Sequence, residues 1–308
     1  MRVAVSGATG LIGTELVRAL VQRGDDVIAL TRNVDSARGA LAPGVEPVAW
    51  PDPKVAAPPA AALDGADAVV HLLGEPIAQR WSEQAKREIR DSRVEGTRNL
   101  IAGIAALPEA QRPRALISQS ATGYYGPRDD QPLDESASPG HDFLADVTSA
   151  WEHEALQAPA PTRVVLARTG VVLSPSGGAL AKMLPPFRLG VGGPVAGGRQ
   201  YVPWIHLADV VGALIYCVDH PDLSGPVNVT APAPVTNGEL SRALGRVLHR
   251  PAVFPVPRFA VQLLYGEMSS VVTTGQRVIP RRLTDSGYPF AHTELEAALR
   301  DVLGRTAA

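Results

Sequence analysis

Short apolar runs alternate with longer stretches of helical period through the first half of the chain. The runs at 3–6, 27–31, 45–50, 68–73, 115–119 and 164–169 are rich in Val, Ile, Leu and Ala and read as buried strands. Between the first two, Leu11, Ile12, Leu16, Ala19 and Leu20 fall on one face of a helix that Gly24 stops. A longer helix is expected from Ser82, as N-cap, to about residue 107, with Pro108 ending it. Its inner stripe, Ala85, Ile89, Ser92, Gly96, Leu100 and Ile104, has small residues in the middle where a backbone or ligand can come close. A further helix is expected over 144–157, and the Pro- and Ala-rich stretch 51–59 reads as a connection at a sheet edge. Strand, helix, strand in repetition predicts an α/β fold with a doubly wound parallel sheet. Beyond Gly170 the texture changes. Glycines crowd 177–198, which reads as a mobile loop over a cleft, and helices are expected at 207–218, 237–248, 259–265 and 293–302. The division expected is a core at 1–170 and a smaller α/β covering region at 171–308.

Chemistry enters at the first turn. Gly7, Gly10 and Gly13 directly follow the first strand and open the first helix. At those places glycines allow a tight turn, close approach of backbone N–H groups to a pyrophosphate, and close helix-to-sheet packing. The helix N-terminus adds unpaired donors and a partial positive charge. The sheet is therefore expected to be of the Rossmann type, holding a dinucleotide. An acid usually follows the second strand when the ribose hydroxyls are free, and here Thr31 and Arg32 stand there instead. A guanidinium grips a phosphate with paired, charge-assisted bonds, so NADP(H) is the expected cofactor.

Composition narrows the remaining classes. The 308 residues are 45% hydrophobic and 19% charged, with 29 Lys+Arg against 31 Asp+Glu and a net charge of -2. That balance excludes a disordered tail and argues against nucleic acid as a partner. Cys217 is the only cysteine, so no intramolecular disulfide forms, and a packed thiol in a reducing, cytoplasmic setting is the expectation. No apolar stretch reaches the length of a membrane span, and no membrane partner is expected. The seven histidines show no pair at metal-ligand spacing, so no metal is expected, and no Gly-x-Ser-x-Gly marks a hydrolase elbow.

The order of motifs resembles the extended short-chain dehydrogenase/reductase superfamily. The segment Ser120-Ala121-Thr122-Gly123-Tyr124-Tyr125-Gly126 looks like its phrase at the end of strand five, and Trp204-Ile205-His206-Leu207-Ala208-Asp209 resembles its later hallmark. Four stretches resemble, more narrowly, an atypical epimerase-like branch with a C-terminal domain of unknown function, some bacterial members of which are labelled cell-division inhibitors. They are Leu73-Gly74-Glu75-Pro76-Ile77, Arg90-Asp91-Ser92-Arg93, Asn228-Val229-Thr230-Ala231-Pro232, and Gly266-Glu267-Met268 with Gly275-Gln276-Arg277-Val278-Ile279-Pro280. The resemblance implies a C-terminal domain at about 250–300. Together with the turn, it implies cofactor contacts from Gly7, Thr9, Gly10, Leu11, Ile12, Gly13, Thr31, Arg32, Leu72, Leu73, Gly74, Glu88, Arg93, Ser118 and Val172.

Two departures bear on mechanism. The superfamily's Tyr-x-x-x-Lys acid/base pair is absent: Lys54, Lys86 and Lys182 are the only lysines, and Trp50, Ser82 and Gly178 stand four residues before them. Aligned on Glu152, Leu144 takes the place of the Tyr and Thr148 that of the Lys. Arg93 stands where the superfamily commonly has Asn, and a buried Arg needs an anion, supplied by cofactor phosphate or by Glu88. Ser120 and Tyr124 remain as candidates for polarising or protonating a substrate oxygen, with pocket-shaping side chains as the alternative. Without a lysine a phenol ionises only near pH 10, so reduction is favoured over oxidation. The expected function is an atypical NADP(H)-dependent reductase of a small carbonyl substrate, monomeric or homodimeric. A non-catalytic NADPH-binding regulatory protein acting through a partner is the other reading.

Overall fold

In the computed structural model, which describes residues 1–304, seven strands form one sheet: β1 (Arg2–Ser6), β2 (Asp26–Thr31), β3 (Glu46–Ala49), β4 (Ala68–His71), β5 (Ala115–Ala121), β6 (Arg163–Thr169) and β7 (Gly225–Val229). Their order is β7-β6-β5-β4-β1-β2-β3 and every pair is parallel. Both faces are covered, which is why Val3, Val5, Val27, Ala29, Val69 and Val70 are all fully buried and the runs are apolar without alternation. The order of strands reverses between β1 and β4. A crevice opens there beyond Ser6 and His71, which sit side by side in the register.

The helices are α1 (Leu11–Arg23), α2 (Val34–Ala40), α3 (Glu83–Ala106), α4 (Phe143–Ala155), α5 (Gly178–Arg188), α6 (Leu207–Asp219), α7 (Asn237–Leu248), α8 (Arg258–Tyr265), α9 (Ser269–Thr273), α10 (Arg281–Asp285) and α11 (Leu295–Val302). α1 and α6 cover one face, where Leu16, Val17 and Leu20 meet Val210, Leu214 and Cys217. On the other face Leu100, Ile101 and Ile104 of α3 pack with Ile28, Val69 and Leu116. Cys217 is fully buried, and burial pushes its thiol up to about 12.

The six expected strands and most helices form close to the expected bounds, with two corrections. Residue 170 does not close the sheet layer: β7 and α6 lie beyond it, because β6 would otherwise be an open edge and one sheet face would lack its second helix. Pro226 hid β7 in the sequence, although an edge strand tolerates a missing N–H. The glycine-crowded stretch is not all loop either. Leu180, Leu184 and Phe187 recur at helical spacing in α5 and pack with Leu240, Leu244 and Val247 of α7 and with Trp204. That burial outweighs Pro185 and Pro186 near the end of α5.

Buried hydrogen bonds pin the crevice from behind. Ser6 Oγ lies 2.7 Å from His71 Nδ1, and His71 Nε2 lies 3.0 Å from Thr97 Oγ1 on α3. The Leu72 amide donates to Ser6 Oγ, and Trp151 Nε1 on α4 donates to Thr97 Oγ1 at 2.8 Å. Burial drives the His71 pKa down to about 3, so the ring is neutral in the fold. The unfolded chain takes up a proton near the ordinary value of 6.5, and the folded chain does not until about 3.

Stability should therefore fall as pH drops from 6.5 toward 3, by up to about 1.4 kcal/mol per pH unit from this group, and be independent of it above 6.5. Urea unfolding of wild type and His71→Asn from neutral to acid pH measures it. The wild-type slope should exceed that of the variant only in this window; parallel slopes would show that His71 is not the group responsible.

Candidate functional site

The glycine turn is shaped by contacts a side chain would destroy. Gly7 has φ +67°, and a Cβ there would lie 2.7 Å from the Leu72 carbonyl oxygen. A Cβ on Gly13 would come within 2.1 Å of the Gly7 carbonyl, so only glycine lets α1 start so near the turn. Gly10 is the N-cap of α1, with no side-chain cap and no acid in the first turn. The first amides of α1 are thus left for an anion. Thr9 and Gly10 are exposed, whereas Leu11, Ile12, Leu72, Leu73 and Val172 are half-buried, the last in a short strand, Val171–Leu173. Gly177 packs against Leu11, with its Cβ position 3.3 Å away, which brings the start of α5 over the turn. Gly96 makes room for Leu73: a Cβ there would meet Leu73 Cδ2 at 2.8 Å.

Two arginines flank the loop after β4. Arg32 is exposed, with Nη1 3.7 Å from Glu75 Oε1, a loose pair that leaves the guanidinium free to turn. Thr31 Oγ1 caps the bend into α2 by donating to the Asn33 carbonyl. Arg93 lies flat against Gly74, whose Cβ position is 3.0 Å from the guanidinium carbon, and 5.3 Å from the Trp151 ring. Its bonds go to the carbonyls of Ile89 (2.9 Å) and Glu75 (3.0 Å). Burial lowers its pKa to about 10, with the Glu75 charge opposing. The expected partnership with Glu88 does not form, because Glu88 reaches Lys54 at 2.6 Å instead. Arg93 therefore carries a largely buried charge with no salt-bridged carboxylate among the described residues, an arrangement that calls for an anion.

At the end of β5 the two hydroxyl candidates part company. Ser118 is fully buried and donates to the Gln119 carbonyl at 3.4 Å. Ser120 is buried and its hydroxyl donates to Glu152 Oε1 at 2.6 Å, so its proton is committed inside the protein. Glu152 is in turn held by Arg168 through Nε and Nη2, each at 2.8 Å. Burial opposes the charge on Arg168, but the bonds to Glu152 outweigh it and hold its pKa above the ordinary value. Arg168 also donates to Tyr125 Oη, which donates to Asn228 Oδ1 at 2.6 Å. Glu135 completes the cluster by accepting from the amides of Asn228 and Arg282. Tyr124 differs from Ser120. Its ring is stacked 3.4 Å under the Arg168 guanidinium, and its hydroxyl has no bond to any described residue.

On α4, Leu144 packs against Gly123, and Thr148 donates to the Leu144 carbonyl at 2.7 Å. Neither side chain can take or give a proton at neutral pH. The Glu152–Arg168 pair escaped the sequence reading, although Arg168, the one charge in the apolar run 164–169, was the signal that a carboxylate must meet it.

His206, His292 and Asp301 bring ligand atoms within 4.8 Å of one another. The His206 Nδ1 accepts the Ala208 amide as the N-cap of α6, so Nε2 carries the proton and donates to Asp301 at 3.0 Å. With no free lone pair on that ring, the trio reads as a hydrogen-bonded clasp between α6 and α11 rather than a metal site.

Residues 3–230 match the family model described as NAD dependent epimerase/dehydratase family, and residues 256–302 match a domain of unknown function, DUF1731. An epimerase family protein of Mycobacterium bovis is 42% identical, covering 96% of each chain. An Arabidopsis thaliana chloroplastic epimerase family protein, an SDR39U1 homolog, is 39% identical over 98% of this chain and 87% of its own length. The crystal structure of human epimerase family protein SDR39U1 with NADPH superimposes with a TM-score of 0.88 at 35% identity, covering 99% of this chain and 100% of that one.

The buried pair makes a stability prediction. Glu152→Ala should destabilise by about 3–5 kcal/mol, because it strands Arg168. The double variant Glu152→Leu, Arg168→Met should cost less than the single one. Urea unfolding of the three proteins decides it, and a single-variant cost below about 1 kcal/mol would show that Arg168 finds another partner.

Proposed function

This chain belongs to the NAD-dependent epimerase/dehydratase family, in the atypical branch with the C-terminal DUF1731 domain, and we propose that it is an NADPH-binding reductase of a small carbonyl-type substrate that works without the Tyr–Lys pair. The observation that carries the cofactor half is the uncapped start of α1 beside a glycine turn no side chain could enter. The human relative crystallised with NADPH supports the choice of cofactor. On this reading the first amides of α1 hold the pyrophosphate, Arg93 meets an anionic group of the cofactor, and Arg32 turns from Glu75 to the 2′-phosphate. NADPH bound there supplies reducing power at its nicotinamide ring.

What the chain's own residues contribute is narrower than in the superfamily. Leu144 and Thr148 exclude a general base at the usual place, and the Ser120 hydroxyl already donates its hydrogen bond to Glu152. Tyr124 keeps a free phenol, which can donate a proton to a developing alkoxide but cannot accept one until it ionises. Reduction is therefore the favoured direction. One observation favours the other reading, an NADPH-binding regulatory protein: both Ser120 and the Arg168 stacked over Tyr124 are locked into a buried network.

Titrating NADPH and NADH should give tighter binding of NADPH by about 10 to 150-fold, most of it lost in Arg32→Ala. Equal affinities in wild type would sink the assignment of Arg32. Arg93→Met should weaken both cofactors by a similar factor yet stabilise the free protein, since it removes a buried charge. A destabilised Arg93→Met with full affinity would make that residue merely structural.

Activity is tested by a screen of aldehydes, ketones and enones with NADPH, following its absorbance. Carbonyl reduction should appear in wild type, weaken at least about tenfold in Tyr124→Phe, and outrun alcohol oxidation at neutral pH. Silence across the screen with NADPH binding intact would favour the regulatory reading.

A further inference from the structure

The C-terminal region carries a surface that the crevice does not use. Among the described residues, most of the large apolar side chains left in solvent lie here: Leu189, Val191, Val253, Phe254, Phe259, Leu263, Leu264, Val271 and Val272. α8 is the extreme case. It buries only Val261, while Phe259 is 73% exposed and Leu263 76% exposed, one turn apart on the same side. The segments 190–196 and 250–256 run side by side, tied by Phe254 N to Gly192 O, Val256 N to Pro194 O and Ala196 N to Val256 O. That pairing places Leu189 and Val191 next to Val253 and Phe254, and α8 follows directly.

The stretches that carry these side chains are basic in a chain of net charge -2. Over 177–200 and 249–275 the charged side chains are Lys182, Arg188, Arg199, Arg250 and Arg258, against Glu267 alone. Glu267 is already paired with Lys86. Beside Val253 lies a cleft of about 500 Å³ lined by Arg242, Gly245, Arg246, His249, Arg250, Ala252 and Val253. Arg246 is taken by Glu296 at 2.7 Å, but Arg250 bonds only to the carbonyls of Arg188 and His249, and Arg242 has no salt bridge among the described residues.

We propose that this face is a peripheral docking surface for an anionic phospholipid bilayer, with the Arg242–Arg250 cleft receiving a phosphate headgroup and Phe259, Leu263 and Phe254 entering the boundary of the acyl chains. Projecting apolar side chains with a basic rim are the chemistry an anionic lipid interface rewards. A second copy of the chain is the poorer occupant, since two such faces would oppose like charges. No helix of the described residues is long and apolar enough to cross a membrane, and a surface of this kind needs none. The expectation of no membrane partner drew only on the lack of a spanning stretch.

The test is co-sedimentation of the full chain with vesicles of phosphatidylcholine alone and of phosphatidylcholine mixed with phosphatidylglycerol. Binding should require the anionic lipid and weaken with salt. It should fall about fivefold for each arginine removed in Arg242→Gln and Arg250→Gln, and at least about tenfold in Phe259→Asp with Leu263→Asp. Each variant should keep its thermal melt and its NADPH titration, which separates loss of docking from loss of fold. Absence of vesicle binding in wild type, or equal binding to neutral vesicles, overturns the proposal. Calorimetric binding of inorganic phosphate without vesicle binding would make the cleft a soluble-anion site. Binding of polyglutamate as tight as that of vesicles would point to an acidic protein partner, and either result counts against the membrane.

Discussion

The neutral imidazole of His71 is the part on which the crevice depends. It lies between a serine on β1 and a threonine on α3, and that threonine also takes the indole of α4. Four elements from four separate stretches of chain thus share one buried run of hydrogen bonds. In a low-dielectric interior such a run is favourable only when every member is paired, so it fixes the relative height of β1 and β4. With that height fixed, the turn after Ser6 must pass within contact of the Leu72 carbonyl, and Gly7 is the consequence rather than the cause. The close start of α1 at Gly13, and hence the open amides of its first turn, follow from the same constraint.

The departure from the superfamily touches the other side of the crevice and leaves this frame alone. Leu144 and Thr148 occupy the helix face that would present an acid and a base, but α4 is held by Trp151 and Glu152, one turn further on. Glu152 binds Arg168 whether or not catalytic groups stand above it. The scaffold can therefore lose its proton-transfer pair without losing its shape, which is why fold membership speaks for cofactor binding more than for reaction.

How much of this was legible follows from the kind of signal each feature leaves. The strands with both faces buried write continuous apolar runs, and six of them could be read. β7 could not, because Gly225 and Pro226 open it and its edge position excuses both. The glycine turn was legible since its three glycines have fixed spacing after a strand. Arg93 was legible as a charge in need of a partner, but the sequence offered Glu88 on its own helix, and only the structure shows Glu88 turned outward to Lys54. Ser120 was legible as a hydroxyl at the right strand end. The carboxylate that claims its proton lies 32 residues away, and no local pattern links them.

The C-terminal region sets a different problem, because it has enough core to hide its apolar residues and does not do so. α7 buries Leu240, Leu244, Val247 and Leu248, and α11 buries Leu295, Ala298 and Leu299, so helices of this small unit can spend their apolar face inward. α8, with a comparable apolar content, spends one residue. A helix with so little buried area gains little from its own packing and belongs to the part of the molecule that opens most readily. The only salt bridge seen between the α8–α9 stretch and the rest of the described residues is Lys86 with Glu267, at the start of α3, and a solvated pair is a weak tether. The same helix, two turns on from Lys86, carries Arg93 beside the crevice.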